Sequence, residues 1–205
     1  MSFSRKDLLI VADALREAAR AEIMPRFRAL NADQIRQKSS ALDLVTDADE
    51  AAERHITARL KTLFPQCTVI GEESTEKDRS LLAKINEPDL LFILDPVDGT
   101  ANFASGLPLF GVMAAVVSKG EIIGGLIYDP LGEDWALALR GEGAWFQTLD
   151  GKTRDMKVAQ PAPLNQMVGA CHGDMSMSLY AQPLQRTCRK LPPVWPFVAR
   201  RMNIG

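Results

Sequence analysis

Leu90-Leu91-Phe92-Ile93-Leu94 runs straight into Asp95-Pro96-Val97-Asp98-Gly99-Thr100-Ala101-Asn102-Phe103, and this junction constrains the fold more than any other feature of the chain. Consecutive apolar residues, without the alternation of a half-exposed strand, predict a strand covered on both faces, as in layered α/β proteins. Carboxylates at the end of such a strand are costly to bury unless donors or a cation meet them. Asp95 and Asp98 stand three apart with Pro96 expected to fix a turn between them, so both carboxylates and the Val97 carbonyl are able to face one small site. Gly99-Thr100 is expected to open a helix, whose first N–H groups and dipole favour an anion. Hard oxygen ligands beside an anion-binding turn suit Mg²⁺ with a phosphate. For this motif taken alone, an Asp-capped turn is the alternative, since Asp, Pro and Gly are common turn residues.

The surrounding pattern is that of mixed α and β elements. Residues 4 to about 30 predict an amphipathic helix: Ser4 and Asp7 form a capping-box pattern, and Leu8, Val11, Leu15, Ala19, Ile23, Phe27 and Leu30 recur at three- and four-residue steps. Pro25 is expected to kink it. A second helix is expected from about Asp49 to Phe64, striped by Ala52, Ile56, Leu60 and Leu63 and stopped by Pro65. Thr68-Val69-Ile70 predicts a short strand closed by Gly71. Hairpins are expected around Ser118-Lys119-Gly120 and around Gly141-Glu142-Gly143. From about Lys157 the composition shifts to scattered Pro, Met and polar residues, which predicts an N-terminal α+β region over 1–155 and the start of a second, smaller α/β region over 156–205.

Composition narrows the function. A hydrophobic fraction of 46% and a charged fraction of 24% over 205 residues exclude a disordered tail, a collagen-like fibre and a disulfide miniprotein. A net charge of −2 gives no electrostatic case for a nucleic-acid polymer or an anionic membrane. No apolar run approaches the ~20 residues of a membrane span, and the opening residues lack the apolar core of a signal peptide. Cys67, Cys171 and Cys188, with no CxxC, predict reduced thiols and a cytoplasmic location. Those cysteines and the two histidines, His55 and His172, lack soft-ligand spacing, so any metal is expected on oxygen.

Two further acidic groups sharpen that expectation. Gly71-Glu72-Glu73-Ser74 follows a strand, and Asp43-Leu44-Val45-Thr46-Asp47-Ala48-Asp49 precedes the second helix. The plain readings are an N-cap for Asp47 and a solvated surface charge for Glu73. The functional reading is that three acidic clusters converge on one sheet edge, where their repulsion demands divalent cations.

Lys38-Ser39-Ser40 with DLVTDAD, then GEES, then LDPVDGTANF, resembles the inositol monophosphatase family of Mg²⁺-dependent, Li⁺-sensitive phosphatases. The resemblance covers residues 38 to 103, and Gly125-Leu126-Ile127-Tyr128-Asp129-Pro130 is consistent with it. It implies a layered αβαβα sugar-phosphatase-like fold and hydrolysis of a small phosphate monoester by metal-activated water. It also implies two or three Mg²⁺ ions and a homodimer. Carried over, Glu72, Asp95 and Asp98 are metal ligands with the Val97 carbonyl, and Asp49 acts on a further ion. Thr100 with Glu72 orients and deprotonates the water, the N–H groups of Gly99 and Thr100 hold the phosphate, and Glu73 and Lys38 support them.

The family pattern closes with a Trp-Asp motif. Here Trp195 is followed by Pro196 and no acid follows Asp174, which predicts that the C-terminal part is incomplete. Myo-inositol monophosphate is the default substrate. Histidinol-phosphate, fructose-1,6-bisphosphate, a 3′-phosphoadenosine-type nucleotide, and a non-catalytic metal- or anion-binding role are the alternatives. Plain roles are expected for His55 (surface or packing), Asp174 (a loop acid) and the basic residues Arg186 to Arg201 (a solvated face).

Overall fold

In the computed structural model, which describes residues 3–38 and 43–161, Ser4 caps helix α1 (Arg5–Ala18) through the expected box with Asp7. The chain divides into two compact units, 1–155 and 156–205, and nearly all described residues belong to the first. The expectations for Ser39, Ser40, Cys171, His172, Asp174, Cys188, Trp195 and the basic stretch fall outside the described residues.

The α-helical path ends sooner than the apolar stripe suggested. After Ala18 it widens into a π turn (Ala19–Ile23) and tightens into a 3-10 turn (Met24–Arg26), from which Phe27 leaves in extended conformation. Pro25 has no N–H for an i→i−4 bond, which accounts for the break. The stripe itself is core: Leu8, Val11, Leu15, Ala19 and Ile23 are fully buried.

Strands β1 (Ile35–Gln37) and β2 (Leu44–Thr46) form a small antiparallel ribbon that leads into helix α2 (Asp47–Leu63). The N-cap of α2 is Thr46, not Asp47: Thr46 and Asp49 make the capping box. The acid at the third helical position reaches back to the cap N–H, which leaves Asp47 to face outward. Next come β3 (Thr68–Gly71), α3 (Glu72–Lys77), β4 (Leu91–Asp98) and α4 (Thr100–Ala104). Five strands complete the unit: β5 (Gly111–Ser118), β6 (Glu121–Asp129), β7 (Asp134–Leu139), β8 (Gly143–Thr148) and β9 (Thr153–Met156). The last was not foreseen, because Thr153-Arg154-Asp155-Met156 shows no apolar alternation.

These seven strands, β3 to β9, lie in sequence order in one sheet. The β3–β4 pair is parallel, and the pairs from β4 to β8 are antiparallel. Helices α1 and α2 cover one face, where Leu8, Leu15, Ile56 and Leu60 share a core with Phe92, Leu94, Val112, Leu126 and Leu137. Leu91 and Ile93 point the other way and pack with Ile70, Val117, Leu81 and Ile85. β4 is thus covered on both faces, as its unbroken apolar run predicts.

One expectation fails at the end of β4. Asp95-Pro96-Val97-Asp98 does not form a turn; the strand continues through it. Asp95 pairs with Met113 and Asp98 with Gly111, so three steps on β4 face two on β5. This is a β-bulge, a place where a strand tolerates proline because no ladder bond is lost. The Lys119-Gly120 hairpin has positive φ at both residues, as a two-residue type I′ turn requires. Among the described residues no helix is long and apolar enough to cross a membrane.

Candidate active site

Because β3 and β4 run parallel, their C-terminal ends deliver acids to the same edge. Gly71 is level with Leu94, so Glu72, the next residue, emerges beside Asp95. Asp98 ends β4 at the bulge. Gly99 follows at φ 91°, and a Cβ there would stand 2.9 Å from the Leu109 carbonyl oxygen, so glycine is required at the entry to α4.

Asp95 is the most strained member electrostatically. Its Oδ1 is buried and has no hydrogen-bond partner. Burial, and then the charges of Glu72 and Asp98, push its carboxyl up to about 7. A buried carboxylate that neighbouring carboxylates repel lacks a compensating positive charge.

Asp49 and Thr100 form the second part. Asp49 is 1% exposed. Its Oδ2 accepts the Thr46 N–H (2.8 Å) and Thr46 Oγ1–H (2.5 Å), and its Oδ1 lies 3.0 Å from Thr100 Oγ1. Thr100 Oγ1 also lies 2.9 Å from the Val97 carbonyl oxygen. A hydroxyl has one proton, so it serves one acceptor at a time while its lone pairs stay available. Burial raises the Asp49 carboxyl above its ordinary range, against the hydrogen bonds from Thr46 and Thr100.

Lys38 and Glu73 complete the edge. Glu73 is buried, which sets aside the plain alternative of a solvated surface charge. The Lys38 Nζ donates to Glu72 Oε1 (2.9 Å) and Glu73 Oε1 (2.8 Å). Burial pushes Glu73 up to about 7 even with Lys38 beside it. Burial works to lower the Lys38 pKa, but the two carboxylates outweigh it and hold the ammonium well above its ordinary value. Asp47 takes no part: it faces outward and pairs with Arg36 at 2.6 Å.

The three sequence motifs therefore meet, although the acids do not form a closed cage. Among the described residues, no three acids, histidines or cysteines are gathered as a ready metal shell. The donor set nonetheless fits a hard divalent cation: the orphaned Asp95 oxygen and the repulsion from Glu72 and Asp98 are what such an ion relieves. One residue that sequence reasoning missed is Glu53, whose carboxylate accepts the N–H groups of Glu73 (2.7 Å) and Ser74 (2.9 Å). Its signal was an acid lying between Ala52 and Ile56 on an otherwise apolar stripe.

Residues 4–191 match the inositol monophosphatase family. The chain belongs to that family. It is similar to an inositol monophosphatase of Dictyostelium discoideum, 42% identical over 106 residues, which cover 52% of this chain and 38% of the relative. It is also similar to the Nus factor SuhB of Escherichia coli K12, 36% identical over 137 residues, covering 67% of this chain and 48% of the relative. The chain thus spans about half or less of the length of these curated relatives. Among solved structures, the Thermotoga maritima IMPase superposes with a TM-score of 0.69 at 27% identity, over 90% of this chain and 65% of that one. The mixed α/β architecture is the inositol monophosphatase fold.

Proposed function

We propose that this inositol monophosphatase family member hydrolyses a small phosphate monoester with the help of divalent cations, myo-inositol monophosphate being the default substrate. The observation that carries the reading is the buried, unpartnered Oδ1 of Asp95 among the charges of Glu72, Asp98 and Asp49. Glu72, Asp95, Asp98 and the Val97 carbonyl would hold Mg²⁺, with Asp49 acting on a further ion. Bound there, the ions supply Lewis-acid polarisation of the phosphoryl group and activation of water.

The chain's own residues supply the rest. The N–H groups of Gly99 and Thr100 hold a phosphate oxygen at the start of α4. Thr100 Oγ accepts a proton from the attacking water while its own proton passes to Asp49 Oδ1, at 3.0 Å. Thr46 occupies the other carboxylate oxygen of Asp49, which leaves Oδ1 as the acceptor. As the water oxygen bonds to phosphorus, the ester P–O bond breaks and the departing alkoxide takes its proton from solvent. Glu72 orients the water, and Lys38 and Glu73 hold Glu72 in place.

The test is phosphate release from myo-inositol monophosphate as Mg²⁺ is titrated. We expect release to require Mg²⁺ and Asp98→Asn to abolish it while the protein stays folded. Full activity in that variant, or no release from any monoester with or without Mg²⁺, refutes the reading. The Nus factor relative favours a second reading, a binding role without turnover; the second of those outcomes selects it.

A further inference from the structure

Gly71 is a glycine for no backbone reason. Its φ of −107° and ψ of 165° are extended values that any residue adopts. What excludes a side chain is Glu53: a Cβ on Gly71 would stand 2.1 Å from the Glu53 carboxyl carbon and 2.2 Å from its Oε2. Glu53 lies on α2 one turn after Asp49 and is 8% exposed. Its two oxygens accept the N–H groups of Glu73 and Ser74, the second and third residues of α3. Those are the amides that an N-cap side chain ordinarily satisfies, and Gly71, at the N-cap, has no side chain to offer. The cap is supplied from another helix instead.

We propose that Glu53 is a positioning residue that sets the backbone of Glu72 and Glu73 and, through it, the affinity of the site for divalent cations. The cation clause rests on the phosphatase reading; the backbone clause does not. Three observations converge. The Glu53 carboxylate fills the volume left by Gly71. It accepts two consecutive amides from the turn that presents Glu72. The same helix carries Asp49, whose carboxylate meets Thr100. A bond from α2 to the acidic turn therefore ties the Glu72 side of the site to the Thr100 side. Among the described residues no other side chain takes this role: the Ser74 hydroxyl bonds Gly71's own N–H and carbonyl, which closes the turn locally and leaves the Glu73 and Ser74 amides to Glu53.

The test uses Glu53→Gln in the whole chain, since a Gln side chain keeps the shape and loses one of the two acceptors. Amide hydrogen exchange at Glu73 and Ser74 is expected to quicken by about tenfold as one buried N–H loses its partner. In a Mg²⁺ titration followed by the backbone signals of Glu72 and Asp98, half-saturation is expected to rise by about tenfold or more, the usual consequence of disturbing a residue that orients a ligand. The KM for substrate at saturating Mg²⁺ should stay near wild type.

Gly71→Ala guards against a folding defect in that variant. It should speed exchange at the same two amides in the native background, and add nothing in a Glu53→Ala background, where the carboxyl it collides with is gone. Unchanged exchange in Glu53→Gln, or an equal effect of Gly71→Ala in both backgrounds, overturns the proposal. So does a lower melting temperature with exchange and Mg²⁺ half-saturation both unaltered. A native chain that neither binds Mg²⁺ nor releases phosphate refutes the phosphatase reading alone, and the exchange data then decide the role of Glu53.

Discussion

Replacing Thr100 by Val tests the pairing with Asp49 most directly. The substitution keeps the branched shape and removes the hydroxyl that lies 3.0 Å from Asp49 Oδ1. Asp49 is 1% exposed, so Oδ1 cannot turn to water for a replacement donor. Leaving a buried acceptor unmade costs about 1–3 kcal/mol, and the new methyl must also sit where an oxygen lies 2.9 Å from the Val97 carbonyl. Urea unfolding should therefore show a loss of about 1–3 kcal/mol. Turnover should fall by about 10²–10⁴, the range for removing a general acid–base group. Thr100→Ser restores the hydroxyl and should recover most of both. A Val variant that unfolds at the wild-type urea midpoint, or a Ser variant as impaired as Val, would show that the contact does not matter.

Other consequences follow from the same geometry. With a chelator present, the native Asp95 carboxyl is raised from 3.8 to about 7. Between those values the folded state keeps a proton that the unfolded state has lost, so this contribution to stability falls as pH rises through the window. Asp95→Asn should flatten that slope, measured by urea midpoints near pH 5 and pH 8; a slope equal to wild type counts against it. Gly99→Ala should destabilise by about 2 kcal/mol or more, since it combines a left-handed φ with a backbone collision; an unchanged melting temperature would refute this. Asp47→Asn should leave phosphate release untouched while Asp49→Asn abolishes it, because Asp47 faces outward to Arg36; equal effects in an activity assay would contradict the capping arrangement.

What could be read ahead of the structure was what is local. The Ser4–Asp7 box and the stripe from Leu8 to Ile23 depend on residues three or four apart, and both stand. The double burial of β4 followed from its unbroken apolar run. The course of Asp95 to Asp98 was misread because the bulge is set by the partner strand β5, and Asp-Pro-x-Asp-Gly reads locally as a turn. For Glu73 the plain alternative of a solvated charge fails for a similar reason: the partners of its carboxylate and of its N–H, Lys38 and Glu53, stand 35 and 20 residues away in the chain. The N-cap of α2 went to Thr46 because Asp49 reciprocates at the third helical position, a detail that Asp47, as the better-known capping type, obscured. The motifs named the acids of the site; the helix that holds them in register could not be read from those motifs.

Helix α2 behaves as a single beam bolted at two points along one side, with Asp49 fixing the hydroxyl of Thr100 and Glu53 fixing the turn of Glu72. A beam transmits displacement instead of absorbing it. Loosening its buried seat at Ile56 or Leu60 should therefore disengage both contacts together, so damage far from the chemistry would appear as an abrupt loss and not as a graded one.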